Sequence, residues 1–420
     1  MSVRAPAGPQ EAESRRSTAP RRPIRLVPRL KNQGYETEQV ARRRGWVERQ
    51  TGCDLRHVGS YSLDSETMRG NVENPVGAVQ MPLGVAGPLR LRGEHAAGDF
   101  YVPLATTEGA LVRSYERGMV AITRAGGAEA RVLLDENRVS PIFHFESAGA
   151  AADFARALPS HFEALRDAAQ ATTRHGRLLR ATPLITGRKV IVDLSFHTAD
   201  AHGMNMCVKA TDAACRALLE RHPEIRRHHI FSGYSSEKRA SGSILRGGKG
   251  KKVTAGVELE AALVRSVLHA SPRQMVEMWH ATVLGHLHTG ALGYSGHYAN
   301  GLTALFIATG QDVANVANSS VGVTHFELTD AGDLYASVTL PSLTVATVGG
   351  GTSLGTSQEC LGMLGCAGSG QAVKLAEIAA ATLLAGELSM GAAIASGEFV
   401  EAHEAYGRNR PAEAPGEAPR

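Results

Sequence analysis

Apolar positions along the chain recur at helical spacing in some stretches and form short strand-like runs in others. A charged helix is predicted from Glu38 to Thr51, with Gly52 as its end. The alanine-rich segment 148–172 has its larger apolar residues at helical spacing, which predicts a second helix. Strands are predicted at Ala130–Leu134, Pro141–Phe145 and Leu184–Leu194.

The order of elements between residues 141 and 230 predicts a small α/β module. A helix, a strand, a glycine-containing turn (DAHGMNM, 200–206) and a long second helix follow one another there. The segment 73–89, ENPVGAVQMPLGVAGPL, differs because it carries three prolines and three glycines among apolar residues. Such a stretch cannot form a long helix, so we expect turns and short strands.

One acidic residue stands out in the stretch 103–118, PLATTEGALVRSYERG. Glu108 follows two threonines and precedes an apolar helical pattern. Thr106 or Thr107 could cap that helix and place Glu108 in its first turn. On spacing alone, Glu108 is either a capping-box carboxylate or a functional acid, and both interpretations stay open.

Composition places the chain among ordinary globular proteins, with 43% hydrophobic and 20% charged residues. Its 420 residues suffice for two or three domains. The net charge is +4, and much of the excess lies in the first thirty residues. Neither this charge nor the 5% of aromatic residues indicates a nucleic-acid or membrane partner.

The cysteines and the motifs that are missing narrow the function further. Five cysteines, an odd number with no CxxC pair, indicate free thiols in a reducing cytoplasm. No apolar run reaches the ~18–20 residues that span a bilayer. The chain has neither the HExxH pattern of zinc hydrolases nor the GxGxxG fingerprint of a Rossmann domain. We therefore expect a cytoplasmic protein without a metal.

Several motifs follow one another in an order that resembles the soluble catalytic portion of 3-hydroxy-3-methylglutaryl-CoA reductases, of a class I-like type. They are ENPVG at 73–77, TTEGALV at 106–112, DAHGMNM at 200–206, GQD at 310–312, VGGGT at 348–352 and a histidine at 403. Each motif alone is weak, but together they are specific. The resemblance covers roughly residues 30 to 407, nearly the whole chain.

The resemblance implies an α+β fold, in which a large substrate and dimerisation domain carries an inserted small ferredoxin-like NADP-binding domain. It also implies a homodimer, or a dimer-based oligomer, with active sites at the subunit interface. The expected divisions are a disordered basic tail at 1–22, a helical segment at 23–70, the first part of the large domain at 71–140, the small cofactor-binding domain at 141–230, and the catalytic loop, the rest of the large domain and a mobile C-terminal segment at 231–420.

Members of this family reduce a thioester to an alcohol in two hydride steps, through a hemithioacetal and an aldehyde. The resemblance implies that Lys238 is the cation beside the developing oxyanion and that Asp312 is its partner. Glu108 would donate a proton to the oxygen, and His403 would protonate the departing CoA thiolate. Taken singly, these residues could equally be a solvated lysine, a structural ion pair, a helix cap and a tail histidine.

The implied cofactor is NADPH. Its pyrophosphate would meet the helix start at DAHGMNM, where the matching residues are Asp200, Gly203, Met204, Asn205 and Met206. Thr173 and Arg174 fall where the family places a Ser-Arg pair against the 2′-phosphate. Arg174 could otherwise be a surface residue of a basic cluster with Arg177 and Arg180.

The implied substrate is an acyl-CoA. Ser232, Arg239 and Arg138 would hold its carboxylate end, with Glu237 in the same loop. Further positions would meet the CoA phosphate or shape the pocket, and these are Arg117, His297, Asn300 and Gly310.

The chain departs from the family at two places. It has Glu237-Lys238-Arg239 where Asp-Lys-Lys is usual. The position of the family's substrate-binding lysine falls near His280 in this chain. A neutral histidine holds a carboxylate less well than a lysine does. Two alternatives therefore remain open at this point: a related reductase acting on a different acyl thioester, and a catalytically silent binding relative.

Overall fold

The structure, a computed structural model, describes residues 26–29 and 34–397. The predicted disordered tail at 1–22 and His403 lie outside the described residues. The strands are β1 Leu83–Arg92, β2 Ala97–Ala105, β3 Glu129–Val139, β4 Ile142–His144, β5 Arg177–Thr186, β6 Lys189–His197, β7 Arg227–His229, β8 Gly250–Leu259, β9 Val323–Leu328 and β10 Leu334–Leu343. The helices are α1 Thr37–Thr51, α2 Arg56–Gly59, α3 Leu111–Arg124, α4 Ala148–Ala157, α5 Phe162–Gln170, α6 Met204–Arg221, α7 Ala261–Leu263, α8 Pro272–Thr289, α9 Tyr298–Ala308, α10 Val316–Ser319, α11 Gly355–Met363 and α12 Ala372–Ser396.

The largest hydrophobic core of the described residues surrounds α12. This helix packs against α3, α8 and α9 and against the sheet strands β8 and β10. Alanine and leucine occur around its whole circumference, which is the composition of a helix buried on all sides. By length and composition α12 could cross a membrane, but 83% of its most apolar window is buried inside the protein, as in a core helix.

A second, smaller core belongs to a four-stranded sheet with the strand order β7-β4-β6-β5, in which every neighbouring pair is antiparallel. Helices α4 and α5 connect β4 to β5, and α6 connects β6 to β7. This βαββαβ connectivity is the ferredoxin-like arrangement. The α+β prediction is confirmed, and the ferredoxin-like module lies within the segment predicted for it.

Strand β3 joins the two parts of the molecule. The stretch from Glu129 to Glu136 pairs with β8 in the large antiparallel sheet β3-β8-β10-β9, ending at the pair Glu136 and Gly250. Its last three residues pair instead with β6 of the small sheet, beginning with Asn137 opposite Phe196. Side chains near this switch can therefore touch both parts, and the candidate site lies beside it.

Several local predictions are confirmed and one is wrong. Helix α1 ends at Gly52, whose φ of 72° is left-handed, as its predicted stop requires. The single strand predicted over Leu184–Leu194 is wrong, because Gly187, at φ 56°, turns the chain between β5 and β6. The apolar residues on both sides of that turn belong to two strands of a hairpin. All five cysteines are free thiols, as predicted, and four of them are buried.

Candidate active site

A cleft of about 760 Å³, here called the Lys238 cleft, lies between the small module and the large core. Its walls come from the start of α6, from the loop that carries Lys238, and from two glycine-containing turns of the large domain. Three motifs that are far apart in sequence therefore meet in one place. The lining includes Ala201–Met206, Glu237, Lys238, Gly310–Asp312 and Val348–Thr352.

Lys238 and Asp312 form an ion pair in this cleft. The Nζ atom of Lys238 lies 2.8 Å from Oδ2 of Asp312. Asp312 also caps the short helix Val313–Asn315, because its Oδ1 accepts the N–H of Ala314 at 3.2 Å. The predicted pairing partner is thus in place. Both side chains are partly open to the cleft, with Lys238 43% and Asp312 39% exposed.

Glu108 does not cap a helix. Helix α3 begins only at Leu111, after Ala110 in a left-handed conformation, so Glu108 lies in the preceding loop. Its N–H donates to Oγ1 of Thr106 at 3.0 Å. Its carboxylate accepts from the Asn300 amide, with the two oxygens 3.1 and 2.8 Å away. The capping-box interpretation is therefore wrong, and the carboxylate is exposed beside a polar partner.

Glu108 lines a second cleft, the Glu108 cleft, of about 590 Å³. Arg117 and His297 lie in the same lining. Arg117 donates to the hydroxyl of Ser389 at 3.0 Å and to its carbonyl at 2.6 Å. The His297 ring stacks on Tyr115 with 4.7 Å between centroids.

Helix α9 separates Glu108 from the Lys238–Asp312 pair. Asn300, which holds Glu108, is in the first turn of α9, whereas Asp312 follows its last turn. The helix rise alone between Asn300 and Ala308 is roughly 12 Å. Within the described part of the chain, no hydrogen bond or ion pair joins Glu108 to Lys238 or Asp312. One chain therefore places the three predicted catalytic residues in two clefts.

The start of α6 is shaped to receive an anion. Gly203 has φ 73°, and a Cβ atom there would lie 2.7 Å from the Thr198 side chain. No side chain of the described residues caps this helix, and its first residues, Met204–Met206, line the Lys238 cleft. Gly349 also lines this cleft, and no atom lies within 4 Å of the position that its Cβ would occupy.

Asp200, predicted as a cofactor residue, has hydrogen bonds to the start of α12 and to Thr347. Its carboxylate accepts the N–H groups of Gly370 and Ala372, at 2.7 and 3.1 Å, and so caps the start of α12. Its backbone carbonyl accepts from Thr347 at 2.9 Å. These bonds tie the turn before α6 to the large core.

Thr173, Arg174 and Met206 lie together at the first turn of α6. The Thr173 hydroxyl accepts the N–H of Gly176 at 3.0 Å and donates to Sδ of Met206 at 2.9 Å. Arg174 is exposed next to this turn, and Asn205 is exposed on the helix. Thr173 therefore holds its own turn against the first turn of α6, while the side chains of Arg174 and Asn205 face solvent.

Two of the residues predicted to hold the substrate carboxylate are occupied elsewhere. The Arg138 guanidinium is buried; it donates to the carbonyls of Gly248 and Gly247 at 2.8 and 3.1 Å, and lies 3.4 Å from Asp193. Ser232 donates through its hydroxyl to the Ser140 carbonyl at 2.7 Å. Both residues thus fasten the small module to its surroundings.

Arg239 and His280 are open to solvent. Arg239 is exposed in the loop after Lys238, and only its backbone N–H has a described hydrogen bond, to the Ser236 carbonyl at 3.3 Å. His280 is exposed on α8, with its ring centroid 5.2 Å from that of Trp279. The described residues contain no group of three potential metal ligands.

Sequence reasoning missed Lys249. This side chain is 0% exposed, and its ammonium contacts the Glu237 carboxylate beneath the Lys238 cleft. Burial lowers the pKa of Lys249 to about 7. His202, whose Nε2 lies 3.6 Å from the Glu237 carboxylate, has its pKa lowered to about 4 by burial and then by the Lys249 charge. A lysine within GGKGKK gives no sign of burial in the sequence.

Comparison with known proteins identifies relatives over most of the chain. The family model "Hydroxymethylglutaryl-coenzyme A reductase" matches residues 39–408. The 3-hydroxy-3-methylglutaryl-coenzyme A reductase of Methanothermobacter thermautotrophicus is 44% identical over 374 residues, covering 88% of this chain and 94% of the relative. That of Aeropyrum pernix is 45% identical over 389 residues, covering 90% and 91%. These matches do not favour either alternative, a different acyl thioester or a silent relative.

Solved structures of similar fold come from Streptococcus pneumoniae. One 3-hydroxy-3-methylglutaryl-coenzyme A reductase superposes with a TM-score of 0.63 at 18% identity, covering 84% of this chain and 96% of that one. A class II reductase bound to NADPH in open conformations gives a TM-score of 0.64 at 20% identity, covering 84% and 86%. At this identity the likeness establishes the α+β fold.

Proposed function

Because the chain belongs to the hydroxymethylglutaryl-coenzyme A reductase family, we propose that it reduces 3-hydroxy-3-methylglutaryl-CoA to mevalonate and CoA with two molecules of NADPH. The observation that carries this proposal is the ion pair of Lys238 and Asp312 in a cleft that is also lined by the uncapped N-terminus of α6. A cation fixed beside the reacting carbonyl is what a thioester reduction requires.

The residues around the Lys238 cleft fit NADPH. The uncapped start of α6 suits the pyrophosphate, and the exposed Arg174 suits a 2′-phosphate near Asn205 and Met206. NADPH, when bound, supplies the hydride in each reduction step. The segment 141–230 is proposed as the cofactor domain because its own hydrophobic core holds α6 and the turn at Thr173 as one unit.

Lys238 is proposed to stabilise the negative charge that develops on the substrate oxygen in both reductions. Its ammonium is 2.8 Å from Asp312, which holds it in place. The half-exposed position leaves one side of the ammonium open toward the cleft, where a carbonyl oxygen can approach. Such preorganised charge acts on the transition state more than on the ground state.

Glu108 is proposed to donate the proton that completes the alcohol, and His403 the proton that the CoA thiolate takes up when the C–S bond breaks. Asn300 holds the Glu108 carboxylate in the Glu108 cleft. We expect His403→Gln to slow reduction of the acyl-CoA more than reduction of the free aldehyde, because only the first releases a thiolate. Equal losses with both substrates would contradict the role of His403.

The separation of Glu108 from Lys238 within one chain supports a homodimer whose active sites are composite. In such an assembly the Glu108 cleft of one subunit faces the Lys238 cleft of the other. Exposed apolar side chains support a covered surface, namely Val79 at 84%, Leu284 at 62% and Leu287 at 60% exposed. Sedimentation should show a dimer at every concentration at which the enzyme is active, and a fully active monomer would contradict the proposal.

The cytoplasm is the compartment proposed for this enzyme, because four of its five unpaired thiols are buried, and a reducing environment preserves them. The direct test of the function follows NADPH absorbance with purified protein and 3-hydroxy-3-methylglutaryl-CoA, with NADH in parallel. We expect two NADPH oxidised per acyl-CoA and mevalonate as the product. Bound NADPH without oxidation would contradict the proposed activity.

A further inference from the structure

Lys249 has no part in the reaction as described so far, yet its buried ammonium lies directly beneath the Lys238 cleft. It donates to Oδ1 of Asn137 at 2.6 Å and lies 3.3 Å from Sδ of Met204. Its third contact is the Glu237 carboxylate. These contacts come from β3, from the start of α6 and from the loop that carries Lys238. The ammonium thus sits where three parts of the site meet.

The loop around Lys238 has an unfavourable backbone conformation. Ser236 has φ 56° and Lys238 has φ 53°, in the left-handed region that residues with a Cβ rarely occupy. Such conformations persist only where surrounding contacts hold them. Glu237 lies between these two residues. A contact that holds its side chain therefore constrains the backbone at the residues on either side.

Neighbouring side chains of this loop point in different directions. Lys238 reaches Asp312 across the open cleft, whereas Glu237 reaches Lys249 in the interior. Glu237 has a second neighbour in His202, but the low pKa of that histidine leaves it neutral at pH 7. Among the described residues, Lys249 is therefore the amine that pairs with the Glu237 carboxylate, and it is mostly charged below its pKa of about 7.

Other contacts hold the ends of the loop. Ser232 is bonded to the Ser140 carbonyl, and the hydroxyls of Ser236, Ser241 and Ser243 bond to one another at 2.7 to 3.0 Å. These bonds fix where the loop begins and ends. Ser236 is thus held on one side of Glu237, and the Lys238 side chain on the other side contacts Asp312.

We propose that Lys249 is a positioning residue for Lys238: by holding Glu237 in the interior, it fixes the left-handed loop that directs the Lys238 ammonium onto Asp312. This inference rests on the proposed function only in that it takes Lys238 as the catalytic cation. Removing the Lys249 charge leaves Glu237 without a cation, and the loop then relaxes so that its carboxylate can reach water.

The test compares Lys249→Met with Lys249→Arg and with the double variant Lys249→Met/Glu237→Gln. Lys249→Met should lower kcat tenfold or more while the Kd of NADPH, measured by fluorescence titration, changes less than twofold. Arginine restores the charge and should recover most of the turnover. The double variant should be more active than Lys249→Met alone, because no unpaired carboxylate remains. A double variant no better than Lys249→Met would overturn the proposal.

A second readout reports the loop without using activity. Trypsin cleaves after Lys238 and Arg239, which are exposed, and mass spectrometry can follow those two sites separately. We expect cleavage there to be faster in Lys249→Met than in the wild type, with other sites unchanged. The matched control is Lys252→Met, a half-buried lysine on β8, the strand that begins directly after Lys249, and it should leave kcat and cleavage unaltered. Unchanged cleavage together with a loss of NADPH affinity would overturn the proposal, since Lys249 would then serve α6 instead.

Lys238→Ala separates failure of this inference from failure of the proposed function. If Lys238→Ala abolishes turnover while Lys249→Met retains it, the positioning role is wrong and the function stands. If Lys238→Ala retains turnover, the proposed function is wrong. Faster cleavage of the loop in Lys249→Met would then show that Lys249 holds the loop in place. The proposal that this contact serves catalysis would be overturned.

Discussion

Two lysine–carboxylate pairs lie side by side in this molecule, and adjacent residues of one loop contribute to them. Lys238 pairs with Asp312 where both side chains are about two-fifths exposed. Glu237 pairs with Lys249, whose side chain is 0% exposed. Each pair joins a lysine ammonium to a carboxylate, of Asp312 in one and of Glu237 in the other, but their surroundings differ. One pair faces a cleft that a substrate can enter, and the other lies beneath it.

This difference determines what each pair can contribute. An exposed pair adds only about 0–1 kcal/mol to stability, because water solvates and screens its charges. Its ammonium is therefore free to act on a substrate at little structural cost. A buried charge is expensive without its partner, so loss of one partner is felt by the fold. The outer pair suits chemistry and the inner pair suits positioning.

The largest expected effect is on turnover, from Lys238→Ala. Because the substrate oxyanion loses its fixed cation, we expect kcat to fall by about a thousandfold or more. The fold should be nearly unaffected, with the thermal midpoint within about 2 °C of the wild type. Steady-state assays measure the loss of kcat, and thermal melts measure the midpoint of unfolding. A destabilised variant, or one that still turns over, would erase the distinction between the pairs.

The next effect is on stability, from Lys249→Met. Breaking a buried pair costs about 3–5 kcal/mol, because the remaining carboxylate loses its counter-charge. Urea unfolding followed by fluorescence measures this loss. Lys238→Met is the matched variant of the outer pair and should cost no more than about 1 kcal/mol. Similar losses in the two variants would contradict the assignment of roles.

A smaller effect depends on pH and arises at His202, beside the inner pair. Burial lowers its pKa from 6.5 to about 4, so the unfolded chain binds the proton more readily between those values. Stability from this group is therefore fully present above pH 6.5 and lost as the pH falls toward 4, up to about 3 kcal/mol. Unfolding measured at pH 7 and at pH 4.5 should show a smaller difference for His202→Gln. An identical difference in both proteins would rule out this contribution.

The sequence predicts those parts of the fold whose signals are local. Helix α1 is predictable because Gly52 provides its end within the same stretch. The hairpin of β5 and β6 is hidden because Gly187 turns the chain inside one apolar run. Glu108 is misplaced by one turn because the left-handed Ala110, which sets the helix start, has no signature in the sequence.

The candidate site is predictable for Lys238 and Asp312 through motif order, and their 2.8 Å contact is observed. Lys249 and Asp200 show why the contacts of other residues near the site cannot be predicted from the sequence. The partners of Lys249 lie on β3, α6 and a distant loop, so its burial depends on three tertiary contacts. The carboxylate of Asp200 caps a helix that begins 172 residues later in the chain.

The most direct test of the composite site mixes two inactive variants, Glu108→Gln and Lys238→Ala, under conditions that exchange subunits. If each site takes Glu108 from one subunit and Lys238 from the other, a mixed dimer contains one intact site. The equal mixture should then recover about a quarter of the wild-type NADPH oxidation with 3-hydroxy-3-methylglutaryl-CoA. An exchanged mixture with no more activity than the separate variants would show that both residues act within one chain.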